Sequence, residues 1–350
     1  MEKKVEFDPD SVGIDNGKYF GMPFTRQQSK VVLISVPWDV TVSYAEGTSA
    51  GPQAIIKAST QLDFFDPECQ NNWRSGIATL DIDESIFEKS QSLRQVAKSV
   101  IDDLTLAQSS ENTKLAAQKV NLASEWLNEK VYNGAKELIK EGKIVGLVGG
   151  DHSTPYGAIK AAAEHYGDIG LVHLDAHMDL RKAYEGFTHS HASIMYNVSE
   201  NCPGVSRFVQ IGVRDFAQSE WDYAQKNEKF EQWSDDKINE KLLYGESFIS
   251  LIDKMIEPLP KKVYISFDID ALEPSLCPST GTPVAGGLSF AQSKMILSRI
   301  CNSERVIVGF DLCEVAPSSY SELDANVGAR ILFKLCSLAI KSSLENDKQG

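Results

Sequence analysis

Apolar residues along the chain gather into short runs separated by longer amphipathic stretches. The runs KVVLISVPW (30–38), KIVGLVGG (143–150), IGLVHLDAH (169–177), RFVQIGV (207–213), KKVYISFDID (261–270) and RVIVGFDLCEV (305–315) have the length and branched content of buried strands. Between them the spacing predicts helices: PQAIIKAS with Pro52 in its first turn, PYGAIKAAAEHYG (155–167), stretches at 219–257 and 289–302, and a closing helix near 326–343. Residues 84–142 are charged, rich in Ala and Leu and nearly free of Gly and Pro, which predicts helices with a break near SSENTK. Residues 1–28 are polar and turn-rich and read as an arm.

Strands alternating with helices predict an α/β fold: a three-layer αβα arrangement around a mainly parallel β-sheet. With no repeat, low-complexity tract or linker, residues 29–345 read as one domain carrying a helical insertion around 84–142.

One run does not fit a sheet covered on both faces. VHLDAHMDL (172–180) alternates strictly, and its polar set is His173, Asp175, His177 and Asp179. Alternation predicts a strand with two unlike faces. Burying two histidines and two aspartates on one face requires positive charge to match them. In parallel sheets ligand sites lie at the carboxyl ends of strands, where Asp175, His177 and Asp179 fall.

Two other strand ends carry similar chemistry. LVGGDHSTP (147–155) runs out at Gly149 and Gly150 and presents Asp151 and His152, with Ser153 or Thr154 placed to cap the next helix. YISFDIDALEPSLCPSTGTP (264–283) presents Asp268 and Asp270 two residues apart, a spacing that puts both on one strand face. Carboxylates that close need a proton or a cation between them. Together His152, Asp175, His177, Asp179, Asp268 and Asp270 exceed the needs of one tetrahedral zinc. They suit a pair of divalent ions, with Mn²⁺ favoured by an oxygen-rich shell containing imidazole.

Composition narrows the partners. Against 35 Lys and Arg stand 49 Asp and Glu in 350 residues, a formal net charge of -14. That balance disfavours nucleic acid and anionic membrane surfaces and suits a cationic small molecule. The six cysteines are scattered without a CxxC pair, and no apolar signal core or membrane-length run is present, so a cytoplasmic protein is expected.

GGDHS, DAHMD and SFDIDALEPSLCPSTGTPVAGGLS resemble the three signature segments of the ureohydrolase family: arginases, agmatinases, formimidoylglutamases and relatives. The likeness extends, more weakly, from about Lys30 to Leu335; the family usually has Asp where Glu273 stands. It implies an arginase-like fold, two Mn²⁺ per chain on the six residues above, and a homo-oligomer, trimer or hexamer. Glu314, at the end of GFDLCEVAP, resembles the glutamate that pairs with the substrate's guanidinium group. In THSHASIM, His191 resembles the mobile proton-handling histidine, with His189 an alternative. His173 reads as a neighbour that supports the ligands or as a packed histidine. The implied reaction is attack of an activated water on the guanidinium carbon. Asp179 passes a proton to the leaving amine and His191 handles the next one.

The substrate is expected to be agmatine, cleaved to putrescine and urea. Animal-type arginases hold the amino acid's carboxylate with an Asn and a Ser at positions that here are Arg181 and Phe187, and the acidic residue after their RD motif is here Ala217. DLR, with Arg181, instead resembles formimidoylglutamases, and EGFTHSHAS resembles plant-type arginases. Arg181 and Glu185 are therefore expected at the substrate's tail, where Arg181 must point away or pair with Glu185 to admit an amine. Arginase or formimidoylglutamase activity, or another guanidino substrate, are the alternatives. A single-zinc deacetylase-like amidohydrolase and an inactive metal-binding homologue stand further off.

Overall fold

The computed structural model describes residues 7–349. The strands β1 (Val31–Val36), β2 (Ile77–Thr79), β3 (Ile144–Gly149), β4 (Ile169–Leu174), β5 (Val205–Ile211), β6 (Phe230–Trp233), β7 (Lys262–Asp268) and β8 (Val306–Cys313) form one sheet. Their order is β2-β1-β3-β8-β7-β4-β5-β6, and every neighbouring pair is parallel. The helices are α1 (Gly51–Ser59), α2 (Glu84–Thr105), α3 (Glu111–Lys140), α4 (Tyr156–Tyr166), α5 (Ile194–Asn201), α6 (Gln218–Lys226), α7 (Asp235–Leu243), α8 (Phe248–Ile256), α9 (Phe290–Asn302) and α10 (Leu323–Gln349).

Helices cover both faces, giving the three layers that the βα rhythm predicts. On one face Val31, Leu33, Val172, Leu174, Ile265 and Phe267 pack with residues of α1, α8, α9 and α10. On the other, Val32, Leu171, Phe208 and Tyr264 pack with residues of α2, α3, α4 and α5. The stretch 84–142 folds as α2 and α3. The break between them ends at Ser110, whose hydroxyl accepts the Thr113 N–H as the N-cap of α3.

Several expectations change in detail. The short strands β2 and β6 at the two edges were not foreseen, and β6 interrupts the stretch read as helical at 219–257. A run of three or four residues is too short for periodicity to mark. The alternating segment 172–180 is a strand only to Leu174, because Asp175 Oδ1 takes the His177 N–H at 2.6 Å and turns the chain out of the ladder. Asp268 likewise ends β7 by accepting the Asp270 N–H at 2.9 Å, so Asp270 sits in a 3₁₀ turn and not on a strand face. Neither Ser153 nor Thr154 caps α4, whose N-cap position is Pro155. The Ser153 N–H and hydroxyl both donate to Asp151.

Strand order is what assembles the site. β3, β8, β7 and β4 are adjacent, so the residues after their carboxyl ends meet at one edge of the sheet: Asp151 and His152, Glu314, Asp268 and Asp270, then Asp175, His177 and Asp179.

Candidate active site

The six residues singled out as ligands come together. His152 Nδ1 lies 2.9 Å from Asp175 Oδ2, 3.1 Å from Asp179 Oδ2 and 3.2 Å from Asp268 Oδ2. His177 Nδ1 lies 3.2 Å from Asp270 Oδ2 and 3.4 Å from Asp175 Oδ1. Asp175 therefore faces one histidine with each oxygen and joins two clusters of donor atoms. All but His177 are buried, and His177 borders the pocket.

Charge in this cluster is out of balance. Burial, then the charges of Asp270 and Asp175, push the Asp268 carboxyl well above the usual carboxylate range. Burial and Asp175 push Asp179 up to about 6. Burial opposes charge on His177, but Asp270 and Asp175 outweigh it and raise the imidazole to about 12. Burial likewise opposes charge on His152, and the carboxylates of Asp175, Asp179 and Asp268 outweigh it and hold the ring well above its ordinary value. Asp179, Asp268 and the two imidazoles therefore hold protons that they would release more readily in water. Divalent cations would displace those protons and satisfy the same oxygens. The donor set thus fits the metal pair that the sequence implies.

Two of the residues sit in strained backbone. Asp179 has φ 54° and Glu314 φ 63°, left-handed values that cost a non-glycine residue about 1–3 kcal/mol. The strain aims Glu314 into the site. Its N–H donates to the Gly150 carbonyl at 2.8 Å, and its Oε1 accepts the His152 N–H at 2.9 Å. Gly150 has to be glycine, since a Cβ there would lie 2.0 Å from the Trp38 carbonyl oxygen. Glu314 Oε2 is buried without a partner, and burial followed by Asp151 raises this carboxyl well above its ordinary value.

A pocket of about 150 Å³ opens onto His177 and Asp179 and is lined further by Ser43, Arg181, Tyr184, His191, Asp215, Phe216 and Glu220, among others. His191 Nε2 is 3.5 Å from Ser43 Oγ, and its N–H donates to Thr41 Oγ1 at 3.2 Å. Burial and the His177 charge lower its imidazole to about 3. His189 borders a separate cleft with Tyr156, Asn128 and Lys160. Arg181 does not reach Glu185: its Nε is 3.5 Å from Glu220 Oε2, and its guanidinium stands 4.5 Å over the Tyr184 ring. Glu185 (φ 52°) is not among the pocket's lining residues, and one of its oxygens is buried without a partner.

Sequence reasoning missed the residues behind the ligands. Gln232, Gln210, Ser266 and Asp311 stand at matched positions on β6, β5, β7 and β8 beside His173 of β4, which the sequence marks as a neighbour of the ligands, and together they make a polar row across the face that packs on α2 to α5. Ser266 Oγ is 2.9 Å from His152 Nε2 and donates to Asp311 Oδ1 at 3.0 Å. With the hydroxyl proton committed to Asp311, Ser266 accepts from His152 Nε2–H, so Nδ1, which faces the carboxylates, is the nitrogen that would hold a metal ion once its own proton is displaced. Glu220 accepts the Leu180 N–H at 3.0 Å and the Ala217 N–H at 2.8 Å, fixing the loop after Asp179 onto α6. Only Asp311 left a signal, a carboxylate inside the apolar run VIVGFDLC.

A cluster of histidines and aspartates that could hold metal ions, a bare buried carboxylate and an open pocket at one edge of a parallel sheet make this a three-layer α/β protein with a candidate metal centre. Comparison with known proteins narrows the class. The profile of the arginase family matches residues 29–337. The N(1)-aminopropylagmatine ureohydrolase of Thermus thermophilus is 30% identical over 293 residues, 83% of this chain and 84% of that protein. The agmatinase of Neisseria meningitidis is 31% identical over 317 residues, 90% of this chain and 88% of that protein. The agmatine ureohydrolase of Thermoplasma volcanium shares the fold, with a TM-score of 0.70 at 22% identity over 92% of this chain and 94% of that one. The chain belongs to the arginase family and is a ureohydrolase of that family.

Proposed function

We propose that this chain hydrolyses agmatine to putrescine and urea with two Mn²⁺ bound by His152, Asp175, His177, Asp179, Asp268 and Asp270. The observation that carries the reading is Asp175, whose two oxygens face His152 and His177 separately, so that one carboxylate bridges two donor clusters. When bound, the ions supply Lewis acidity and an activated water nucleophile. His152, Asp175, Asp179 and Asp268 would hold one of them, and Asp175, His177, Asp268 and Asp270 the other.

The remaining groups bind substrate and move protons. Glu314 Oε2 takes the N–H groups of the guanidinium, a charge-assisted contact strengthened by burial. Its carboxyl proton leaves as the cationic substrate enters. Asp179, whose carboxylate borders the pocket, carries a proton from the nucleophile to the departing amine. His191 lines the pocket beside it, an imidazole placed to take and return the next proton. Phe216 and Tyr184 supply an apolar wall for a methylene chain, and Asp215 and Glu220 supply negative charge for its terminal amine. With Arg181 held against Glu220 and Tyr184, the like charge is drawn to the wall. Both named relatives act, by their names, on agmatine or an aminopropyl derivative of it.

The test is urea release by the Mn-loaded protein from agmatine, N(1)-aminopropylagmatine, arginine, guanidinobutyrate and guanidine, with formamide followed from formimidoylglutamate. Agmatine is expected to give the highest kcat/KM, with two Mn per chain by elemental analysis. Formamide from formimidoylglutamate with no urea from agmatine overturns the substrate, and one Zn per chain overturns the metal pair. Light scattering should find a trimer or hexamer.

A further inference from the structure

His173 stands within ligand distance of the same cluster: its Nε2 is 2.8 Å from Asp175 Oδ2, and its donor atom groups with those of His152, Asp175 and Asp179. Distance alone leaves two roles open, a third imidazole ligand or a hydrogen-bond donor to Asp175. The polar row behind it decides between them.

Gln210 lies opposite His173 in the pairing of β4 with β5. Its Nε2 is 2.8 Å from the Met178 carbonyl oxygen and 2.9 Å from His173 Nδ1. A carbonyl only accepts, so the atom facing it is the amide nitrogen. Gln232 Nε2, 3.5 Å from Gln210 Oε1, agrees with that orientation. The second amide proton then points at His173 Nδ1, which must accept it. The ring proton is thereby placed on Nε2, the atom that faces Asp175 Oδ2. A nitrogen that carries a proton has no lone pair for a metal ion.

We propose that Gln210 fixes His173 as an Nε2–H donor to Asp175, making the two a positioning pair that orients the shared carboxylate and keeps His173 out of the metal's ligand set. The row treats His173 and the adjoining His152 oppositely. Ser266 and Asp311 draw the proton of His152 to Nε2, away from the cluster, while Gln210 drives the proton of His173 to Nε2, toward it. One imidazole becomes a ligand and its neighbour a donor, 5.2 Å apart between ring centres. The inference rests on the metal-site reading above but not on the identity of the substrate.

The test uses the full chain labelled with ¹⁵N in its histidine rings. Long-range ¹⁵N–¹H spectra of wild type should show His173 protonated at Nε2 and bare at Nδ1, both before and after Mn²⁺ is added. His173→Phe should bind the same number of Mn²⁺ per chain as wild type, with affinity lower by about 10–100-fold in calorimetric titration. His173→Gln, which retains a donor, should recover most of that loss. Gln210→Leu, with folding checked by circular dichroism, should weaken binding without changing the count. A wild-type ring protonated at Nδ1, or a His173→Phe protein that binds one ion fewer, overturns the proposal. If His173→Phe does not fold, the wild-type spectrum and Gln210→Leu decide alone. Wild-type protein with the expected spectrum but no urea from agmatine would overturn the proposed substrate and leave this pair standing.

Discussion

The Glu314 carboxylate takes one hydrogen bond, from the His152 N–H at 2.9 Å, and holds its other oxygen buried and unpartnered. The same residue whose ring belongs to the candidate metal cluster thus sets the angle of the carboxylate that would grip the substrate. Glu314→Gln keeps an acceptor for that N–H but loses the charge. The expected result is a fall in kcat/KM for guanidino substrates of about 10²-fold or more, with bound metal unchanged. A Cβ added at Gly281 would lie 3.1 Å from Glu314 Oε2, so Gly281→Ala should raise KM through crowding at the same oxygen. Steady-state kinetics with parallel metal analysis checks both.

Metal removal should invert the protein's response to pH. In the metal-free chain, folded His177 keeps its proton to about pH 12, whereas an unfolded histidine releases it near about 6.5. Its contribution to stability is complete below about pH 6.5 and is lost as pH rises toward 12. The raised carboxyls of Asp268 and Glu314 act with the same sign from a lower starting point, since their extra protons are also bound only in the fold. The melting temperature of the stripped protein should therefore fall from pH 6.5 to 9. Bound as proposed, Mn²⁺ would displace those protons, so its stabilisation should grow over the same range. Scanning calorimetry of both forms is the measurement; parallel pH profiles would contradict it.

His191 and His189 are two residues apart and face different clefts. His191→Ala should lower kcat by about 10²-fold at near-constant KM and metal content, the size of a lost proton-transfer group. His189→Ala should leave kcat and KM within about twofold. Equal effects from the two would remove His191 from the reaction.

The parts of this site that the sequence discloses are those whose oddity is local. Asp175, His177, Asp268 and Asp270 stand out because so many ionisable groups at the ends of apolar runs exceed what ending a strand requires and are costly to bury. Glu314 becomes legible only beside a family motif, because a glutamate at a strand end is otherwise ordinary. Gln210, Ser266 and Glu220 were invisible for a different reason: each acts through a partner 30 or more residues away, and only the strand order brings them together. That order is itself non-local, since β8, last in the chain, lies between β3 and β7. The left-handed backbone at Asp179, by contrast, breaks a local rule, and it does so at a residue in the cluster.

Arg181 is expected to govern the choice of tail. Its charge lies in the pocket, with Nε 3.5 Å from Glu220 Oε2 and the guanidinium over Tyr184. A cationic tail entering beside it meets a like charge that Glu220 offsets only in part. At roughly 8 Å and an effective dielectric near 40 the repulsion is about 1 kcal/mol. Arg181→Ala should therefore raise kcat/KM for agmatine by about fivefold and reduce it for guanidinobutyrate, whose carboxylate Arg181 attracts. Glu220→Gln should shift the ratio the other way, because it removes an attraction for the amine and frees Arg181 at once. Glu220 also anchors Leu180 and caps α6, so part of its effect will be a loss of stability that acts on both substrates alike. The ratio of the two kcat/KM values cancels that shared loss and isolates the electrostatic effect. A lower agmatine to guanidinobutyrate ratio in Arg181→Ala would show that Arg181 serves the amine-tailed substrate, and the reading of this wall would have to be reversed.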